Sequence, residues 1–228
     1  HKEYRRQRQM CIRDSHLPVE HSLESKDPCG IVREFWQCFL KLWKDPLGQV
    51  SLAVTSLFWG AGTTLRFIVL AWAASALGMD MEQGTHLTAL VAVGLAIGSY
   101  VAARMIPLEH SVRVLPLGIF MGFAVMVMIM IHSLLPAIIM LILIGALAGS
   151  FLIPMNALLQ HRGHLLMGSG HSIAVQNLNE NISILLMLGG YSLMIRAGFQ
   201  IETITVVFGL LIASVMALLH KMHAHDQD

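Results

Sequence analysis

From Val50 to its C-terminal end the chain carries six apolar runs of roughly twenty residues, divided by short polar connections. A run of that length can cross the hydrocarbon core of a bilayer as a helix, where every backbone polar group must be paired within the segment. Composition agrees: 55% of the residues are hydrophobic, only 13% are charged, and the mean hydropathy is +0.65. Globular chains carry about 25% charged residues, so the fold class expected is an all-α polytopic membrane protein. The spans are placed at 50–77, 87–106, 114–132, 135–158, 172–196 and 200–220, with antiparallel neighbours.

Orientation follows from the basic residues. The segments before span one and after spans two, four and six hold Arg33, Lys41, Lys44, Arg104, Arg113, Arg162 and Lys221, whereas the intervening segments hold only Arg196. The positive-inside rule then puts both ends of the chain in the cytoplasm.

Ahead of the spans the chain changes character. The run QMCIRDS at 9–15 resembles the translation of a common transposon sequencing adapter, so residues 1–15 are set aside as an artefact. The native protein is expected to extend further upstream. Residues 16–30 read as a cytoplasmic linker, and Ile31 to Lys44 as an amphipathic helix. Arg33, Glu34, Gln37, Lys41 and Lys44 share one side of that helix, opposite Ile31, Val32, Phe35, Trp36, Phe39, Leu42 and Trp43. Tryptophans and basic residues of this kind suit the membrane interface. Asp45-Pro46-Leu47-Gly48 ends it and starts the first span. Residues 221–228 form a cytoplasmic tail.

Within the spans, the glycine pairs Gly94/Gly98, Gly118/Gly122 and Gly145/Gly149 permit close helix approach, and Pro154 is the proline most deeply placed in a span. Cys11, Cys29 and Cys38 match no metal motif, and the histidines lie mostly in loops and tails. No nucleophile with a partner base, paired carboxylates or phosphate loop is visible, so the chain reads as no enzyme and implies no cofactor. Its scattered cations give no nucleic-acid footprint.

Polar residues at membrane depth are therefore the informative ones. Arg66 lies deep in span one, sharing a face with Thr55, Trp59, Gly62 and Thr63. An arginine there costs about 2.5–3.5 kcal/mol on insertion scales, which calls for an ion pair or a function. Span five opens with Gln176, Asn177, Asn179, Glu180 and Asn181. Ser172, Gln176, Asn179, Glu180 and Ser183 fall within an arc of roughly 80°. This face serves either as interhelical hydrogen-bond glue or as the wall of a substrate cavity. Glu180 lies about 12 Å of helix from one end of its span, and Arg66 about 16 Å from the opposite end of its own, so a direct pair is not the default. Asn156 reads as a residue near the end of span four that organises the following loop.

Six spans with both ends inside, led by an amphipathic segment, resemble one half of a major facilitator transporter. The stretches SLFWGAGTTLRFIVLAW at 56–72, IPMNALLQHRG at 153–163 and SGHSIAVQNLNENISILLMLGGYSL at 169–193 resemble the bacterial lysophospholipid transporter family, with the similarity running from about residue 31 to 220. Against that family these spans are seven to twelve, and the N-terminal six-helix half is absent. The resemblance implies a multi-pass protein of the bacterial inner membrane, surrounded by membrane lipids. Its substrates would be lysophosphatidylethanolamine and lysophosphatidylglycerol, carried to the cytoplasmic leaflet, where a partner acyltransferase/acyl-carrier-protein synthetase re-acylates them. It further implies that Arg66 meets a phosphate or a carboxylate of the absent half. Gln176, Asn177, Asn179 and Glu180 would line the headgroup path, and Trp59 and Phe58 would meet the acyl chain. Two other readings fit the same spans: a facilitator exporting an amphiphilic drug, and a membrane scaffold subunit with no transport cycle.

Overall fold

The computed structural model describes residues 28–225. The adapter-like segment, residues 16–27 of the linker and residues 226–228 of the tail lie outside the described residues. The first helix, α1, spans Pro28–Lys44 and so takes in the end of the expected linker. Proline fits a first helical turn, because its missing N–H would be unpaired there anyway. The chain divides after Gln37, and from Cys38 onward it forms one compact unit. In that unit the last turn of α1 is anchored: Leu42 is fully buried, and the Trp43 indole donates a 3.3 Å hydrogen bond to Asn179 Oδ1.

Asp45 separates α1 from α2 (Pro46–Leu77), accepting at 2.8 Å from the Gly48 N–H as an N-cap with proline in the first turn. The helix α2 ends at Gly78, whose φ of 63° is the left-handed conformation that glycine adopts without a Cβ penalty. Asp80 then opens α3 (Met81–Met105) with a capping box: its carboxylate takes the Gln83 N–H, and the Gln83 side chain takes the Asp80 N–H. This start lies ahead of the expected 87, because the first turns of α3 are polar and add no hydropathy.

A 3₁₀ segment, Leu108–Val114, leads into α4 (Leu115–Val127), and a second, Met128–Met130, ends it. The next helix, α5, runs from Leu134 to Met167 and passes through Pro154. The span expected at 135–158 is thus nine residues short at its far end; Gln160 to His164 are polar but remain helical. Only Gly168 divides α5 from α6 (Ser169–Arg196), and α7 covers Ile201–His225. Among the described residues there are seven α-helices, and six helical segments are long and apolar enough to cross a membrane.

The centre of the bundle is α2, which touches α3, α5, α6 and α7. Its apolar window is 61% buried, against 6% for α6 at the periphery. The most extensive pairing joins α3 to α5. There a Cβ on Gly94 or Gly98 would strike the carbonyls of Ile142 and Ala146, and one on Gly145 or Gly149 would strike those of Val91 and Leu95. Both helices need glycine for the backbones to meet. A looser version joins α4 to α7, where a Cβ on Gly122 would lie 2.7 Å from the Gly209 carbonyl oxygen.

Candidate functional site

Trp59, Gly62, Thr63 and Arg66 recur at helical spacing along one face of α2, and that face opens onto a cavity of about 560 Å³. Its walls are mostly apolar, built by Phe58, Leu95, Met121, Ile144 and Leu152 among others from α2, α3, α4 and α5. The helix α3 adds Thr85 and Thr88, which share a face through their i, i+3 spacing. A volume in the range of about 300–1,000 Å³ is usual for small-ligand sites, as is an apolar wall with a few polar groups. Gly62 leaves its part of the wall open, with no atom within 4 Å of where a Cβ would stand.

Arg66 is the cation of this cavity. It is exposed and makes no hydrogen bond or ion pair among the described residues. Phe58 closes the other side, packed edge-on against buried Phe151 at 6.1 Å and against Trp59 at 5.6 Å.

None of the polar side chains of α6 lines the cavity. Gln176 donates at 2.7 Å to Glu180 Oε1 and at 3.1 Å to Asn156 Oδ1. Asn156 lies well inside α5, so it joins two helices instead of organising a loop. Trp59 also neighbours Glu180, so it borders the cavity and adjoins the α6 cluster. Glu180 and Arg66 make no ion pair. Asn179 faces away, accepting from Trp43 and donating at 2.8 Å to the Val175 carbonyl. Asn177 is exposed and its side chain joins none of these bonds.

The serines of the same face seat α6 on its neighbours. Ser183 fills the space a Cβ on Gly60 would take, and Ser172 does the same at Gly163. Much of the polar arc is therefore helix-to-helix contact. Sequence reasoning overlooked Thr85 and Thr88; a span start at 87 left the first in a loop, and the capping box at Asp80 was the signal that α3 begins earlier. It also overlooked the pairing of Asp45 with Arg162, where Nε donates at 2.9 Å and Nη2 to the second oxygen.

No protein-family model and no solved structure matches the chain. Curated relatives do. The chain is 46% identical over 198 residues to the lysophospholipid transporter LplT of Enterobacter sp. (strain 638), covering 86% of this chain and 50% of that protein. It is 46% identical over 190 residues to LplT of Citrobacter koseri, covering 83% and 48%. For LplT of Escherichia coli O1:K1 / APEC the identity is 45% over 191 residues, with the same coverage of 83% and 48%. Over this stretch the chain belongs to the lysophospholipid transporter family. It spans about half the length of these family members. Its six apolar helices and its relatives together make it a multi-pass membrane protein.

Proposed function

We propose that this chain is part of a carrier that moves lysophospholipids across the bacterial inner membrane to the cytoplasmic leaflet. The observation that carries the reading is Arg66, a cation without a protein partner among the described residues, set in the wall of a mostly apolar cavity. An amphiphile with one phosphate and one acyl chain satisfies both halves of that surface. The planar guanidinium suits a phosphate, and burial of the chain against Phe58, Leu95 and Leu152 supplies about 0.8 kcal/mol per methylene. The family relationship supports the same substrate class.

In this reading both described ends of the bundle are cytoplasmic, from the positive-inside count. A second six-helix half completes the cavity wall beside Arg66. Trp59 passes the headgroup from Arg66 toward the Glu180, Gln176 and Asn156 cluster, where Glu180 accepts from an ammonium group. Asn177 and Asn179 lie off this path. The product, delivered inside, is re-acylated by a partner acyltransferase/acyl-carrier-protein synthetase.

The test is lysophospholipid translocation by the full-length protein in liposomes. Arg66→Ala is expected to lower it at least tenfold, since a charge-assisted hydrogen bond is worth about 1.5–3 kcal/mol. Glu180→Gln is expected to lower it less. Unchanged translocation in both variants at normal expression sinks the site assignment.

A further inference from the structure

We propose that Thr63, Thr85 and Thr88 form an acceptor surface beside Arg66 that selects lysolipid headgroups carrying N–H or O–H donors. The inference rests on the lysophospholipid reading of the cavity and adds the residues that sort its substrates. All three threonines line the same cavity as Arg66. Each hydroxyl has already committed its hydrogen within its own helix. Thr63 donates to the Trp59 carbonyl at 2.8 Å, and Thr85 to the Met81 carbonyl at 2.7 Å. Thr88 donates to the Thr85 carbonyl at 2.8 Å or the Gly84 carbonyl at 3.1 Å.

A hydroxyl used in this way keeps its oxygen lone pairs for a ligand, so it acts as an acceptor. The polar part of the cavity is then divided by chemistry. Arg66 offers only donors and takes the phosphate; the threonine oxygens offer acceptors and repel it. An ethanolamine ammonium brings three N–H donors, and a glycerol headgroup brings hydroxyl donors. A trimethylammonium brings none, and its methyl groups would shield the three oxygens from water without bonding them.

The discriminating experiment follows translocation by the full-length protein of lysophosphatidylethanolamine and its mono-, di- and trimethylated forms, in liposomes of one composition. Each methyl removes one donor at nearly constant charge. Wild type is expected to lose about tenfold across the series, the scale of one hydrogen bond to a charged group. Thr85→Val/Thr88→Val, nearly isosteric but without the oxygens, is expected to flatten the series, and Thr85→Ser/Thr88→Ser to keep its slope. A flat series in wild type, or an unchanged slope in the valine pair, overturns the inference while leaving lysolipid transport intact. A wild-type protein that moves none of the four lipids overturns the functional reading itself.

Discussion

Asp45 and Arg162 stand 117 residues apart, yet two parallel hydrogen bonds join the start of α2 to the last turns of α5. The same carboxylate caps α2 through the Gly48 N–H, so one side chain both begins the central helix and ties it to a neighbour. The Arg162 guanidinium holds the Asp45 carboxyl below the usual carboxylate range, against an opposing effect of burial. Because the folded value is the lower one, the stabilisation is fully present above the unfolded value of about 3.9 and is lost as pH falls through the folded one. Asp45→Ala is expected to cost about 2 kcal/mol, from the lost cap and the unpaired arginine. Thermal unfolding in detergent measures it, and the difference from wild type should shrink only below about pH 4.

The α3–α5 crossing should tolerate no side chain. Gly98 and Gly149 face backbone carbonyls, which cannot move aside as a flexible side chain can. Gly149→Leu is expected to cost more than about 3 kcal/mol and to abolish the monodisperse peak in size-exclusion chromatography. Gly189→Ala and Gly190→Ala are the contrast, since nothing lies within 4 Å of either Cβ position. Each should leave the peak intact and raise stability by up to about 1 kcal/mol through helix propensity.

Asn156 and Gln176 are expected to couple. A double-mutant cycle with Asn156→Leu and Gln176→Leu should return an interaction of roughly 0.6–1.7 kcal/mol, between the average and the maximum for side-chain hydrogen bonds between membrane helices. Asn177→Leu provides the internal comparison: its side chain meets neither partner, so its effects should add to those of Asn156→Leu without coupling.

Trp59 stands between cavity and cluster. Trp59→Phe keeps an aromatic wall beside Phe58 and removes the N–H that neighbours Glu180. Translocation by the full-length protein should fall about threefold to tenfold, and Glu180→Gln should add little in the Trp59→Phe background, because both act on one interaction. Full additivity would show that the indole acts on the lipid independently of Glu180.

The glycine pairs illustrate what a membrane sequence makes legible. Gly94/Gly98 and Gly145/Gly149 could be recognised by their four-residue spacing, and both pairs lie at one crossing. Their mutual partnership was not legible, since spacing on one helix carries no information about which other helix meets it. Arg66 stood out because a cation in an apolar run is expensive wherever the helix goes. Thr85 and Thr88 did not stand out, because a threonine costs little in either setting and the polar first turn of α3 hid the helix start. The polar arc of α6 was visible as periodicity, but periodicity could not divide it. Tertiary packing turned Asn179 to Trp43, Gln176 to Asn156 and Glu180 to Trp59, and left Asn177 outside.

Hydrophobic run length and the distribution of charge determined, without any structure, that this chain forms six membrane-length helices carrying a few costly polar groups. Those are properties of each segment in its solvent. Which polar groups meet, and that Arg66 faces a cavity while the α6 cluster binds its neighbours, only the tertiary structure decided. Such contacts depend on the rotation and depth of each helix against the others, which packing of glycine, serine and aromatic side chains fixes after the segments have formed.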